Sequence, residues 1–268
     1  MYTDKEQMMH VNSALLIGTI ASFIAPLHAE TYHVYFLGGQ SNMDGYGTVA
    51  ELPEELAEPV AGALIFCGER RSDLKPAKSL GRWVQLTPGF GGGFQTDGVT
   101  NLLGQRFGPE LTFAKRMREL RPDERIAIIK YAKGGSSLDV RIADWGTWDP
   151  HDTRGVGSGL GVNQYDHALA TIEQATRHGD IDGDGEPDTL VASGILWMQG
   201  ETDATNELAA GEYAENLAEM ADLLRAALRA DDLPFVIGRI SDSGVKDGNE
   251  KPVSRFGDVV REAQAKVA

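Results

Sequence analysis

The chain of 268 residues is 41% hydrophobic and 24% charged, which supplies enough apolar material for a real core and excludes a disordered chain. Its 40 acidic and 25 basic residues leave a formal charge of −15. That charge repels phosphate backbones and anionic membranes, and no basic patch carries interleaved aromatics, so nucleic-acid binding is disfavoured and a neutral or weakly charged substrate is expected; solubility alone accounts for the acidity equally well.

Residues 14–27 are almost wholly apolar and end at Leu27-His28-Ala29, a small-residue cleavage pattern. The run is too short to span a bilayer comfortably and reads as a signal-peptide core. Asp4 and Glu6 offset Lys5 ahead of it, a defect that a start at Met8 or Met9 removes. The competing reading is a buried N-terminal helix. On the signal reading, residues 1–29 are removed. The mature chain then begins near Glu30 and is secreted or periplasmic, with no stable membrane span.

Residues 32–37 read as a strand running into Gly38-Gly39-Gln40-Ser41-Asn42, and 61–67 as a second strand. The one cysteine, Cys67, ends that second strand. It excludes an internal disulfide, no Cys/His cluster signals zinc, and a buried thiol is expected. Residues 68–108 are Gly-rich and irregular, with Gly91-Gly92-Gly93 the most flexible point; a connection this long suggests a binding loop. Residues 109–120 carry Pro at a helix start and an apolar stripe at Leu111, Ala114 and Met117. Residues 126–132 are apolar except for Lys130, which predicts a strand covered on both faces. That strand ends in Lys133-Gly134-Gly135-Ser136-Ser137. A loop with Trp145 and Trp148 follows, then a helix over 164–177. Residues 190–198 form the next strand, ending in Gln199-Gly200-Glu201-Thr202-Asp203. A helix over 207–230, a strand over 235–240 and a helix over 253–267 complete the pattern.

Strand and helix alternate, which predicts an α/β fold: a doubly wound, mostly parallel sheet sandwiched by helices. Ligands in such sheets bind beyond the carboxyl ends of the strands. The polar, Gly-rich ends around Ser41, Gly135 and Gln199 share that edge. A serine in a tight turn after a strand is placed to attack a carbonyl, given a base and oxyanion donors. The Gly135 N–H and the Gln199 amide are candidate donors, each worth roughly 3 kcal/mol in a transition state. Singly, each segment reads equally as a turn or a helix cap.

Gly39-Gln40-Ser41-Asn42-Met43, Lys133-Gly134-Gly135-Ser136-Ser137-Leu138 and Trp197-Met198-Gln199-Gly200-Glu201-Thr202-Asp203 resemble the three blocks of the sialate O-acetylesterase and family 6 carbohydrate esterase branch of the SGNH hydrolases. Phe107-Gly108-Pro109-Glu110-Leu111 resembles that family's stretch ahead of a helix. The resemblance implies an SGNH, flavodoxin-like fold over residues 30–268 and a serine esterase removing O-acetyl groups from sugars, with acetylated xylan or sialic acid as substrate. Ser41 would be the nucleophile. The Ser41 N–H, the Gly135 N–H and the Gln199 side chain would form the oxyanion hole. Gln40, Asn42, Glu201 and Asp203 would shape the site, with Glu201 or Asp203 a candidate to orient a histidine. No cofactor is required.

The family's base lies in an Asp-x-x-His motif near the C-terminus, which is absent up to Ala268. The expectation is a domain lacking its last strand and C-terminal segment, with impaired activity. His10 and His28 fall in or before the signal segment. His33 and His178 belong at the far end of the sheet. Only His151 and His167 can approach the site, and an ordinary surface or helix-start role suits both better. The rival functions are an inactive carbohydrate-binding protein and an SGNH esterase of lipid or small aryl esters.

Asp180, Asp182, Asp184 and Asp188 follow the first half of an EF-hand pattern, with Val191 where its bidentate Glu belongs. They are candidate ligands for a structural calcium, or simply a solvated acidic turn. Trp145 and Trp148 read equally as sugar-stacking rings and as loop anchors.

Overall fold

A computed structural model describes residues 29–77, 80–154, 161–241, 246 and 254–268. The segment 14–27 lies outside the described residues. In chain order the first elements are β1 (Thr31–Gly39), α1 (Ser41–Asp44), β2 (Gly47–Thr48), α2 (Glu54–Ala57), β3 (Ala63–Cys67), β4 (Trp83–Gln85), β5 (Gln95–Thr96), β6 (Asn101–Leu102) and β7 (Arg106–Phe107). There follow α3 (Glu110–Leu120), β8 (Arg125–Ala132), α4 (Gln164–Arg177), β9 (Thr189–Met198), α5 (Glu207–Ala227), β10 (Phe235–Ile237) and α6 (Gly257–Val267).

Six strands form one sheet in the order β10-β9-β1-β8-β3-β4. All pairings are parallel except β3 with β4. β1 sits at the centre and reads apolar from Val34 to Leu37, where both of its faces are buried. Its side chains alternate between two cores, as the two-residue strand period requires. Tyr32, Val34 and Phe36 join a core closed by α4, α5 and α6. Tyr35 and Leu37 join the other, closed by α3 and by Leu86, Phe90 and Phe94 of the long loop. Each such side chain contributes about 1.5–3 kcal/mol on burial. Cys67 is buried, which pushes its thiol up to about 11. No helix among the described residues is long and apolar enough to cross a membrane.

The structure departs from the sequence reading in several places, one of them the last helix, which begins at Gly257 after a turn at 254–256. The segment 68–108 is not wholly irregular. β4 extends the sheet edge, with Trp83 against Phe66 (ring centroids 5.7 Å) and its indole N–H donated to the Ala175 carbonyl at 2.8 Å. α5 stops at Ala227, followed by Arg229 in the left-handed region at φ 57°. β10 stops at Ile237, because the Ile240 N–H leaves the sheet and is taken by Gln264 of α6 at 3.0 Å.

Candidate active site

The register puts three strand ends level. Gly39 pairs with Ala132 of β8 on one side and with Met198 of β9 on the other. The chain therefore leaves β1, β8 and β9 at one height, beyond their carboxyl ends. The Gln40 N–H is donated to the Met198 carbonyl at 2.8 Å, and the Lys133 N–H to the Gly39 carbonyl at 3.0 Å. A Cβ on Gly39 would lie 2.1 Å from the Met198 carbonyl oxygen, so only glycine lets the strands approach this closely.

Ser41 opens α1 and is half-buried. A Cβ built on Gly134 would stand 3.7 Å from the Ser41 Cβ, which brings the second segment alongside the serine. Gly135 has φ +77°, a conformation that favours glycine. Among the described residues, neither the Ser41 N–H nor the Gly135 N–H is donated to another protein group.

The third segment locks onto the other two through buried polar groups. Gln199 Nε2 donates to Asp203 Oδ2 at 2.5 Å, to the Ser136 carbonyl at 3.1 Å and to Gln40 Oε1 at 3.2 Å. Asp203 also accepts from the Leu138 and Asp139 N–H groups at 3.1–3.2 Å. Burial outweighs these donors and pushes the Asp203 carboxyl up to about 7. Asn42 Nδ2 donates to Glu201 Oε1 at 2.5 Å. Burial raises the Glu201 carboxyl, and its Oε2 has no partner among the described residues. The sequence-derived nucleophile, oxyanion and site-shaping residues, namely Ser41, Gly135, Gln199, Gln40, Asn42, Glu201 and Asp203, thus lie around one edge of the sheet.

A second buried cluster lies beneath α1 and was not read from the sequence. Lys130 is 1% exposed. It donates to Glu110 Oε2 at 2.6 Å and to the Asp44 and Phe90 carbonyls at 3.0 Å. Glu110 also accepts from the Gly108 N–H at 2.8 Å. Arg70 pairs with Asp44 at 2.5 Å and donates to the Gly91 and Phe94 carbonyls. The Gly-rich loop is thereby tied to the serine turn. The usable signals were a lysine inside an apolar strand and Glu110 inside the Phe107-Gly108-Pro109-Glu110-Leu111 motif.

The two tryptophans separate. Trp148 is fully buried, edge-on to Trp197 at 4.9 Å, with its indole N–H donated to Ser136 Oγ at 2.9 Å. Trp145 is 69% exposed, and its ring covers Gly135, where a Cβ would stand 2.9 Å from it.

Among the described residues no histidine is bonded to Ser41. His33 sits at the start of β1 against Ser193. His151 pairs with Glu219 at 2.8 Å, which raises its pKa. His167 is buried against the Ser72 carbonyl at 3.3 Å, and burial lowers its pKa. His178 lies near Asp188 and Leu190, at the amino end of the sheet.

The acidic turn occupies that same end. Asp180, Asp182 and Asp188 bring oxygens within 4.8 Å of one another, and Asp184 stands outside the set. Three carboxylates are about half of the six to eight oxygens that calcium takes.

The description "SASA: Carbohydrate esterase, sialic acid-specific acetylesterase" belongs to a family model that matches residues 31–268. No curated protein matches the chain. Among solved structures, a protein from Arabidopsis thaliana superposes with TM-score 0.57 at 18% identity, covering 89% of this chain and 82% of that one. A carbohydrate acetylesterase from Xanthomonas citri gives 0.56 at 22%, covering 88% of this chain and 47% of that one. NanS gives 0.51 at 17%, covering 89% and 74%. At these identities the likeness carries the fold.

Proposed function

Because the chain belongs to the SASA family of carbohydrate esterases, we propose that it removes O-acetyl groups from a sugar, with Ser41 as nucleophile. The observation that carries this reading is the level ending of β1, β8 and β9, which gathers a half-buried serine and two undonated backbone N–H groups. Ser41 Oγ attacks the acetyl carbonyl carbon and the π electrons move to its oxygen. The Ser41 and Gly135 N–H groups hold that charge. Collapse expels the sugar oxygen, which takes the proton, and leaves an acetyl-serine. Water then attacks the acetyl-serine, releasing acetate and restoring the hydroxyl. The chemistry proceeds through the serine and needs no metal. Xylan-type polysaccharide and sialic acid are the substrates to test first. The working compartment would be outside the cytoplasm.

The serine proton needs a base, and no described histidine is bonded to Ser41. Loss of a triad histidine costs on the order of a millionfold in turnover. Slow turnover by this chain is therefore expected, with rescue by added imidazole. The test is acetate release from acetylated xylan and from an O-acetylated sialic acid, beside Ser41→Ala. Imidazole-stimulated release that vanishes in the variant supports the reading. Release that persists in Ser41→Ala removes Ser41 as nucleophile. Sugar binding without any release, with Trp145 exposed beside Gly135, favours a binding protein instead.

A further inference from the structure

We propose that Tyr46 and Trp145 form a two-ring platform for linked sugars, so that the chain acts on an acetylated oligosaccharide or polysaccharide rather than on a single sugar. This deepens the esterase reading and rests on Ser41 marking the point of reaction. Among the described residues, Tyr46 and Trp145 are the exposed aromatic side chains, at 53% and 69%. One lies between α1 and β2 and the other beyond β8, yet both rest on the same two-residue step. A side chain on Gly134 would meet Tyr46 Oη at 3.2 Å and Ser41 Cβ at 3.7 Å. One on Gly135 would meet Trp145 Cγ and Cδ1 at 2.9 Å. Successive glycines thus have different rings against them, and the serine stands with Tyr46.

Both rings are held through their backbones. Ahead of Tyr46, Gly45 donates its N–H to the Ser41 carbonyl at 2.9 Å and accepts from the Gly92 N–H at 2.8 Å. After it, Gly47 pairs with Phe107. The Arg106 guanidinium backs the ring, 4.9 Å from its centroid, and donates to the Tyr46 carbonyl at 3.2 Å. Beyond Trp145, the Gly146 carbonyl accepts from the Ser137 N–H at 3.0 Å, and the Thr147 N–H is donated to Asp73 Oδ2 at 3.0 Å. Thr147 and Trp148 are fully buried. Rings ordered in advance lose little freedom when a ligand arrives. Folding gains nothing from apolar surface left in water, whereas a ligand can cover it. Among the described residues, neither the Tyr46 hydroxyl nor the Trp145 indole N–H is donated to a protein group. Each ring therefore offers an apolar face with a polar edge. That combination suits a sugar, which sets C–H faces between hydroxyls, better than an acyl chain. A sugar lying on Tyr46 beside Ser41 leaves the Trp145 ring for the next sugar along the chain.

The test is binding of O-acetylated xylotriose and O-acetylated xylose to the Ser41→Ala chain, followed by calorimetry and by tryptophan fluorescence. The trisaccharide should bind at least about tenfold tighter than the monosaccharide, with a blue shift in emission as Trp145 leaves water. In the same background, Tyr46→Ala and Trp145→Ala should each weaken the trisaccharide about tenfold, and Trp145→Ala should remove the blue shift. Tyr46→Phe keeps the ring and should stay within about threefold. The ratio of trisaccharide to monosaccharide affinity needs no ring variant, so the proposal can still fail if Trp145→Ala does not fold. Equal affinities, binding of neither ligand, or trisaccharide affinity within about threefold in both alanine variants overturns the platform. Tighter binding of an O-acetylated sialic acid than of the trisaccharide overturns it as well. Acetate release by the chain with Ser41 intact reports separately on the nucleophile. Release with equal affinities sinks the platform alone, whereas ring-dependent trisaccharide binding without release keeps the platform and removes the esterase reading.

Discussion

The two ends of the central sheet are both rich in carboxylates and built on opposite principles. At the carboxyl end, polar side chains bond across the sequence: Gln199 to Gln40 and Asn42 to Glu201, each 159 residues apart, and Asp203 to the Leu138 N–H, 65 apart. At the amino end, the acidic turn mostly bonds to itself. Asp180 takes the Gly183 and Gly185 N–H groups, Asp182 takes that of Asp184, and Asp188 takes that of Ile181. Among the described residues, Tyr32 of β1 and Glu30 just ahead of it reach in. A turn that satisfies its own backbone needs little from the fold. A site whose groups are satisfied across three loops exists only when the whole sheet is formed.

The largest way to break the first end is to strip a charge from beneath it. Lys130→Met leaves the Glu110 carboxylate buried and unpaired, and should cost about 3–5 kcal/mol by chemical denaturation. The Lys130→Met/Glu110→Gln double variant should recover most of that. A single-variant loss below about 1 kcal/mol would mean the pair does not hold the serine turn.

Asp203 provides an intermediate effect. Burial holds its carboxyl at about 7 in the folded chain, above the ordinary carboxylate value of about 3.9. Between those values the folded state holds a proton that the unfolded state has released, so stability falls as pH rises from about 4 to about 7 and is level above. Asp203→Asn should flatten that slope in melting curves taken across the window. A slope unchanged in the variant would assign the titration to another group.

The smallest effects belong to the acidic turn. Asp184→Ala should stay within about 0.5 kcal/mol, as surface changes generally do. Calcium at about 1 mM should move the melting temperature by no more than about 1 °C, since three carboxylates leave about half of the ion's shell to water. A larger rise that is lost in Asp180→Asn would make this end an ion site and erase the contrast.

Much of the frame was legible in the chain itself. Five strands announced themselves as apolar runs, three of them ending in Gly-rich polar segments, and the helix over 164–177 forms with those bounds, capped by Asn163 and Asp166. β4 did not, because three residues on a sheet edge make too short a pattern for periodicity to register. The tryptophans also looked alike, and only packing separated buried Trp148 from exposed Trp145.

By itself the sequence determined the alternation of strand and helix and the order of the three polar strand ends, because both are local patterns of apolarity, glycine and turn residues. Tertiary structure decided which side chains bridge the three strand ends, which carboxylates are buried, and that Lys130 meets Glu110, Asp44 and Phe90. Those choices are made by hydrogen bonds between residues that only a shared strand register brings level, and a register across 159 residues leaves no local mark in the chain.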